Sequence, residues 1–94
     1  PLDINLSGQH LTTLNGIQQL KGFDINSLNL SNNNLTDISA LDGLTINNLD
    51  LSHNNITNID SLANVSNLQS LNISANNVTS TKILSNINGL KITK

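Results

Sequence analysis

The sequence predicts an α/β solenoid of about four repeats plus a partial fifth. A curved parallel β-sheet would line its concave side, with mostly 3₁₀ or irregular turns on the convex side. Two observations predict it. The segment Leu28-Asn29-Leu30-Ser31-Asn32-Asn33-Asn34-Leu35 returns at Leu49-Asp50-Leu51-Ser52-His53-Asn54-Asn55-Ile56 and at Leu71-Asn72-Ile73-Ser74-Ala75-Asn76-Asn77-Val78, in steps of 21 and 22 residues. Self-similarity at such a period marks stacked units that bury their apolar faces against one another. Within each copy the hydrophobic period also switches. Leu28 and Leu30 alternate as in a strand, whereas Leu35, Ile38, Leu41 and Leu44 follow at intervals of three. Alternation by two is a strand signal, and spacing by three suits a tight 3₁₀-like turn.

Taken in order, the first copy is degenerate. Ile4-Asn5-Leu6-Ser7-Gly8-Gln9-His10-Leu11 keeps the pattern with Gln9 where the later copies carry Asn. Its convex run is Leu11, Leu14, Ile17 and Leu20, and a loop from Leu20 to Asp24 carries Phe23, the chain's one aromatic residue. The third copy repeats the threes as Ile56, Ile59, Leu62 and Val65. The fourth lacks them between Thr79 and Leu90, where Lys82-Ile83-Leu84 could form one helical turn. Leu90-Lys91-Ile92-Thr93-Lys94 reads as the start of a fifth copy that breaks off early. The expectation is one domain over residues 1–94, without dedicated end caps. Because the chain opens on Pro1, it is read as a piece of a longer protein.

Composition narrows the function. The chain holds 19 Asn, 11 Ser and 8 Thr but no Glu, Arg or Cys, and its net charge is −2. Four Lys cannot neutralise a run of phosphates, so nucleic acid is not expected as a partner. No apolar run approaches the ~20 residues a membrane span needs. Without cysteine there is no disulfide framework and no thiolate metal site. His10 and His53 stand in different columns of the repeat and read as solvated surface residues. No Ser or Thr lies in a nucleophile-elbow context, and the scattered glycines read as turn devices. No enzyme and no cofactor are expected. Asn-x-Ser/Thr words occur at Asn5, Asn29, Asn34, Asn55, Asn64, Asn72 and Asn77, and the repeat's own vocabulary generates them without any need for glycosylation.

Two sets of residues stand out. Gln9, Asn33, Asn54 and Asn76 recur where the chain leaves the strand. An amide there can bridge backbone groups of neighbouring coils that would otherwise be buried unpaired. The second set faces the concave side by alternation. One column is Asp3, Ser27, Asn48, Ser70 and Gly89, and the next is Asn5, Asn29, Asp50, Asn72 and Lys91. A third is Ser7, Ser31, Ser52, Ser74 and Thr93, and the strand exit carries Gly8, Asn32, His53, Ala75 and Lys94. Asn29, Ser31, Asn48, Asp50, His53, Ser70 and Asn72 form the candidate binding face, with Asp50 and His53 at its middle. The face has none of the Trp, Tyr or Arg that dominate interface hot spots.

The words Leu-x-Leu-x-x-Asn-x-Leu, Asn33-Asn34-Leu35-Thr36-Asp37-Ile38-Ser39-Ala40-Leu41 and Asn54-Asn55-Ile56-Thr57-Asn58-Ile59-Asp60-Ser61-Leu62 resemble leucine-rich repeats. The likeness is to the short class found in bacterial internalins and in cytosolic phosphatase regulators. The resemblance implies a protein-interaction module of a Gram-positive cell-surface protein, with adhesion to a host receptor or mucus glycoprotein as the implied role. It places the chain outside the cell, on the surface or in the wall. The alternatives are an intracellular scaffold, which places it in the cytoplasm, and a ligand-free spacer. The chain departs from internalins in lacking their helical N-terminal cap, the immunoglobulin-like segment after the repeats and an aromatic concave face. Uncapped apolar ends imply end-to-end self-association of the piece.

Overall fold

A computed structural model describes residues Pro1–Lys94. Five strands, β1 (Leu2–Asn5), β2 (Asp24–Asn29), β3 (Thr45–Asp50), β4 (Ser70–Asn72) and β5 (Lys91–Thr93), pair in parallel in the order β1-β2-β3-β4-β5. Each connection crosses the convex side through a short 3₁₀ turn: Ile17–Leu20, Ser39–Leu41, Asp60–Asn64 and Lys82–Asn86. The solenoid read from the sequence is the observed fold, and the expected turn at Lys82 lies within the last of these segments.

The residues at intervals of three close the coils. Leu35, Ile38, Leu41 and Leu44 are buried, as are Ile56, Ile59, Leu62 and Val65. They meet Leu28, Leu49 and Leu71 from the sheet, and Leu30 and Leu51 just past its strands, in one continuous core. The strands run further upstream than the Leu-x-Leu words mark. Ile25 and Ile46 are buried, open the inward row of β2 and β3, and pair with each other. Ile25 precedes Leu28 by three residues, so strict alternation passes it over.

The step from 21 to 22 residues has a local cause. Thr45 pairs with Ser66, but Asn48 pairs with Ser70, so one extra residue lies in the later coil. Asn67 sits within that insertion at φ 65°. The arrangement is a bulge whose left-handed residue Asn tolerates better than most. The bulge shortens the regular part of β4.

The fifth copy requires a correction. Its expected start, Leu90, does not take the place of Leu71. Ile92 pairs with Leu71, Lys91 with Ser70 and Thr93 with Asn72. Leu90 packs against the core just ahead of the strand. A start at Leu90 would leave 19 residues from Leu71, fewer than any other coil uses to complete its circuit. The slip is of two residues, so the faces are kept and only the columns move. Lys91 therefore continues the Ser27-Asn48-Ser70 column and displaces Gly89, and Thr93 continues the Asn29-Asp50-Asn72 column.

Candidate functional site

The concave side of the sheet forms an open trough. Its walls include Ser27, Asn48, Ser70 and Lys91 from one column and Asn29, Asp50, Asn72 and Thr93 from the next. Five of the seven residues nominated from sequence therefore line it: Asn29, Asn48, Asp50, Ser70 and Asn72.

The second column does structural work with half of each side chain. Asn29 Oδ1 accepts the Ser31 backbone N–H at 3.0 Å and the Ser31 hydroxyl at 2.6 Å. Asp50 Oδ1 accepts the same pair from Ser52 at 2.9 and 2.7 Å. Asn72 Oδ1 accepts it from Ser74 at 3.0 and 2.8 Å. Asn5 accepts the Ser7 N–H in the first coil. Each is an Asx turn that bends the chain out of its strand. Because Oδ1 must accept, the orientation of each amide is fixed by its network. The Nδ2 of Asn29 and Asn72 and the second oxygen of Asp50 have no bond within the chain. Neighbouring strands lie about 4.8 Å apart, so the trough carries a row of donor, anionic acceptor and donor at that spacing.

The first column is more fully spent. Asn48 Nδ2 donates to the Asn26 carbonyl at 2.9 Å while its Oδ1 accepts the Ser70 hydroxyl at 2.7 Å. Asp3 accepts from Asn26 and Ser27 at 2.8 and 2.9 Å. These bonds hold the Asp3 carboxyl below the usual carboxylate range.

Two nominated residues fall elsewhere. Ser31 is buried at 5% exposure beneath Asn29, as is Ser52 beneath Asp50. Their hydroxyls are committed to the Asx turns, which takes these two serines off the accessible face. His53 lies beyond the turn at φ 58°, among left-handed residues that include Gly8, Asn32 and Ala75, and it is not part of the trough wall. What the exit column shares is this backbone conformation, not a place on the trough wall.

The recurrent amides lie between coils. Asn33 donates to the carbonyls of Leu6, Leu30 and Ser31 and accepts the N–H groups of Gln9 and Leu11. Asn54 donates to Leu30, Leu51 and Ser52 and accepts from Leu35. Asn76 donates to Leu51, Ile73 and Ser74 and accepts from Ile56. In each case one carbonyl and at least one N–H belong to the preceding coil. Gln9, at the same place in the first described coil, donates its amide to the Ser7 carbonyl alone.

Sequence reasoning missed a third set on the convex side. Asp37 Oδ1 and Asn58 Oδ1 accept the N–H groups of Ser39 and Asp60 at 2.8 Å, and Ser80 Oγ accepts that of Lys82 at 3.2 Å. Each stands two residues ahead of the N–H that it caps, at the start of a 3₁₀ segment. The bonds from Ser39 also hold the Asp37 carboxyl below its usual range. The signal was present: Asp37, Asn58 and Ser80 recur at 21 and 22 residues.

With this geometry in hand, comparison with known families decides the class. The model of the Leucine Rich Repeat family matches residues 24–44, 45–65 and 67–90, well over half of the chain. The chain belongs to the leucine-rich repeat family. A search of curated proteins found no match. The leucine-rich repeat is a binding scaffold, and domains of this kind generally take protein partners. No helix is long and apolar enough to cross a membrane.

Proposed function

We propose that this leucine-rich repeat chain is a protein-interaction module of a Gram-positive bacterial cell-surface protein, an internalin-like repeat. The concave trough is its contact face, and a host or mucus glycoprotein is the class of partner. The observation that carries the reading is the row of unspent groups on Asn29, Asp50 and Asn72. Their orientations are set in advance, so a partner orders little on binding them. The row offers donors on either side of a carboxylate, which suits a partner surface with a basic or hydroxyl group between two acceptors. Solubilisation by Asn, Ser and Thr with no thiol to oxidise favours an exported protein. The module is not an enzyme and needs no cofactor, and a trough with one Lys is no nucleic-acid site. The outer edges of β1 and β5 expose Leu2 and Ile92, so the isolated piece associates end to end at high concentration.

The test has two arms. Intact source cells are treated briefly with protease, and the released peptides are identified by mass spectrometry. Peptides cut at Lys21 or Lys82 without lysis support the surface placement, whereas the same peptides found only in the cytosol overturn it. Purified chain is then titrated against immobilised mucin glycoprotein, with Asp50→Lys as the comparison. Saturable binding weakened at least tenfold by the substitution supports the trough.

One observation favours a second reading, the ligand-free spacer. The first concave column is bonded largely to itself, as a surface that only needs solvating would be. An empty screen for the repeats, with binding confined to other parts of the protein, decides for the spacer.

A further inference from the structure

We propose that Asn88 is a site of spontaneous backbone modification, converting to aspartate and isoaspartate, and that the conversion alters the β5 end of the concave trough. Of the 19 asparagines, Asn15 and Asn88 precede glycine. The reaction needs the backbone nitrogen of the next residue to reach the side-chain carbonyl carbon. A following side chain crowds that approach, and a regular hydrogen bond ties up the nitrogen. Most of the other asparagines are followed by Leu, Ile, Val or Asn. Asn26 precedes Ser27 but lies within β2 with its amide bonded to Asp3.

Asn88 and Gly89 are exposed in the turn ahead of β5, with Gly89 at φ 73°. The Asn88 amide has no partner, and between Ile87, which bonds Leu84, and Lys91, which bonds Gln69, no N–H is held by a backbone bond. Asn15 and Gly16 are exposed too, but Gly16 is pinned. Its carbonyl accepts the Gln19 N–H, and the next residue, buried Ile17, bonds back to Leu14. Rotation of the peptide toward the side chain is freer at Asn88, which therefore reacts first.

The Gly89 nitrogen gives up its proton to solvent base, and its electron pair forms a bond to Cγ of Asn88. The Cγ–Nδ2 bond breaks, and the nitrogen leaves as ammonia, leaving a five-membered succinimide. Water then opens the ring. Attack at Cγ yields aspartate with the original backbone. Attack at the main-chain carbonyl carbon yields isoaspartate, whose backbone runs through Cγ. The net change is water consumed and ammonia released, with no oxidation. Either product adds a negative charge, and isoaspartate adds a backbone atom three residues before Lys91. That lengthening falls on the connection that sets the Lys91–Ser70 and Thr93–Asn72 pairings.

The full chain is aged in mildly alkaline buffer and sampled by tryptic mapping. Cleavage after Lys21, Lys82 and Lys91 separates Pro1–Lys21 from Ile83–Lys91. The expected result is the mass gain of an NH-for-O exchange in Ile83–Lys91, split into two isomers, several-fold ahead of Pro1–Lys21 and of every other peptide. Amide exchange of Lys91 and Ile92 should quicken in step with the isoaspartate fraction. Asn88→Gln should abolish the gain in that peptide while leaving the starting exchange pattern unchanged. A gain that arises first elsewhere, or no gain while a short Ile-Asn-Gly-Leu control peptide converts, overturns the proposal. So does conversion without any change in β5.

Discussion

Asn54, like Asn33, is a buried amide on which the interior depends. It lies at 6% exposure and satisfies three carbonyls and one N–H drawn from two coils. A buried backbone group left without its partner costs about 1–3 kcal/mol. Asn54→Leu should therefore lower stability by about that amount in a urea melt, and an unchanged midpoint would show that the bridging is dispensable. Ala75 presents the opposite case. Its φ of 56° is occupied by Gly8 and Asn32 in earlier coils. A left-handed conformation costs an ordinary L-residue roughly 1–2 kcal/mol, and Asn tolerates it better. Ala75→Asn should raise stability by about 0.5–1 kcal/mol; a loss would mean that the exposed methyl contributes more than its strain. At this scale the sequence was only half legible. The amides that recur between coils could be picked out from spacing alone. The serines could not be told from the surface residues beside them, because alternation gives a direction and not a depth. Only the Asx turns draw Ser31 and Ser52 inward.

Among the elements, the first three 3₁₀ turns follow threes in the apolar pattern, and the last three are each preceded by a side-chain acceptor, at Asp37, Asn58 and Ser80. Asp37 is the ionisable member, and its bonds to Ser39 lower its carboxyl pKa in the folded state. A group with a lowered folded pKa adds stability that is complete above its unfolded value, about 3.9 for Asp, and that disappears as pH falls through the folded one. Asp3 acts in the same direction. Acid titration of the melting temperature should therefore show a fall below about pH 4. Asp37→Asn, which keeps the acceptor as Asn58 does, should make that fall shallower while leaving stability near neutral pH little changed. A fall of the same steepness in the variant would remove Asp37 from the account. The strands were legible in their Leu-x-Leu words but not in their upstream halves. There Ile25 and Ile46 open the inward rows at a spacing of three. The register of β5 is not legible in the repeat word alone, because Leu90-Lys91-Ile92 imitates the start of a copy and only the length of chain needed for a full coil excludes it.

For the whole molecule, stacking of coils places the best-buried core in the middle. Ile25, Leu28, Leu49 and Leu62 are almost fully enclosed, while Leu2 and Ile92 at the two edges are 38% exposed. Stability in such a stack is a sum over neighbours, so coils with one neighbour open first. Hydrogen exchange should protect β2 and β3 longest and release β1 and β5 early. Uniform protection from end to end would instead require cooperative unfolding of the whole stack. The same geometry leaves the trough open along its full length, with the unspent groups of Asn29, Asp50 and Asn72 at its centre, and that is the claim from which the function follows. The chain has no cysteine, so one introduced thiol is a unique anchor for a photo-crosslinker. The most direct test attaches it at Ser70→Cys, inside the trough, or at Ala63→Cys, on the exposed convex turn, and exposes each to mucin and to host-cell surface glycoproteins. The account predicts discrete adducts from position 70 that vanish when Asp50→Lys is added, and none from position 63. Adducts from position 63 alone, or adducts from position 70 that ignore Asp50, would contradict it.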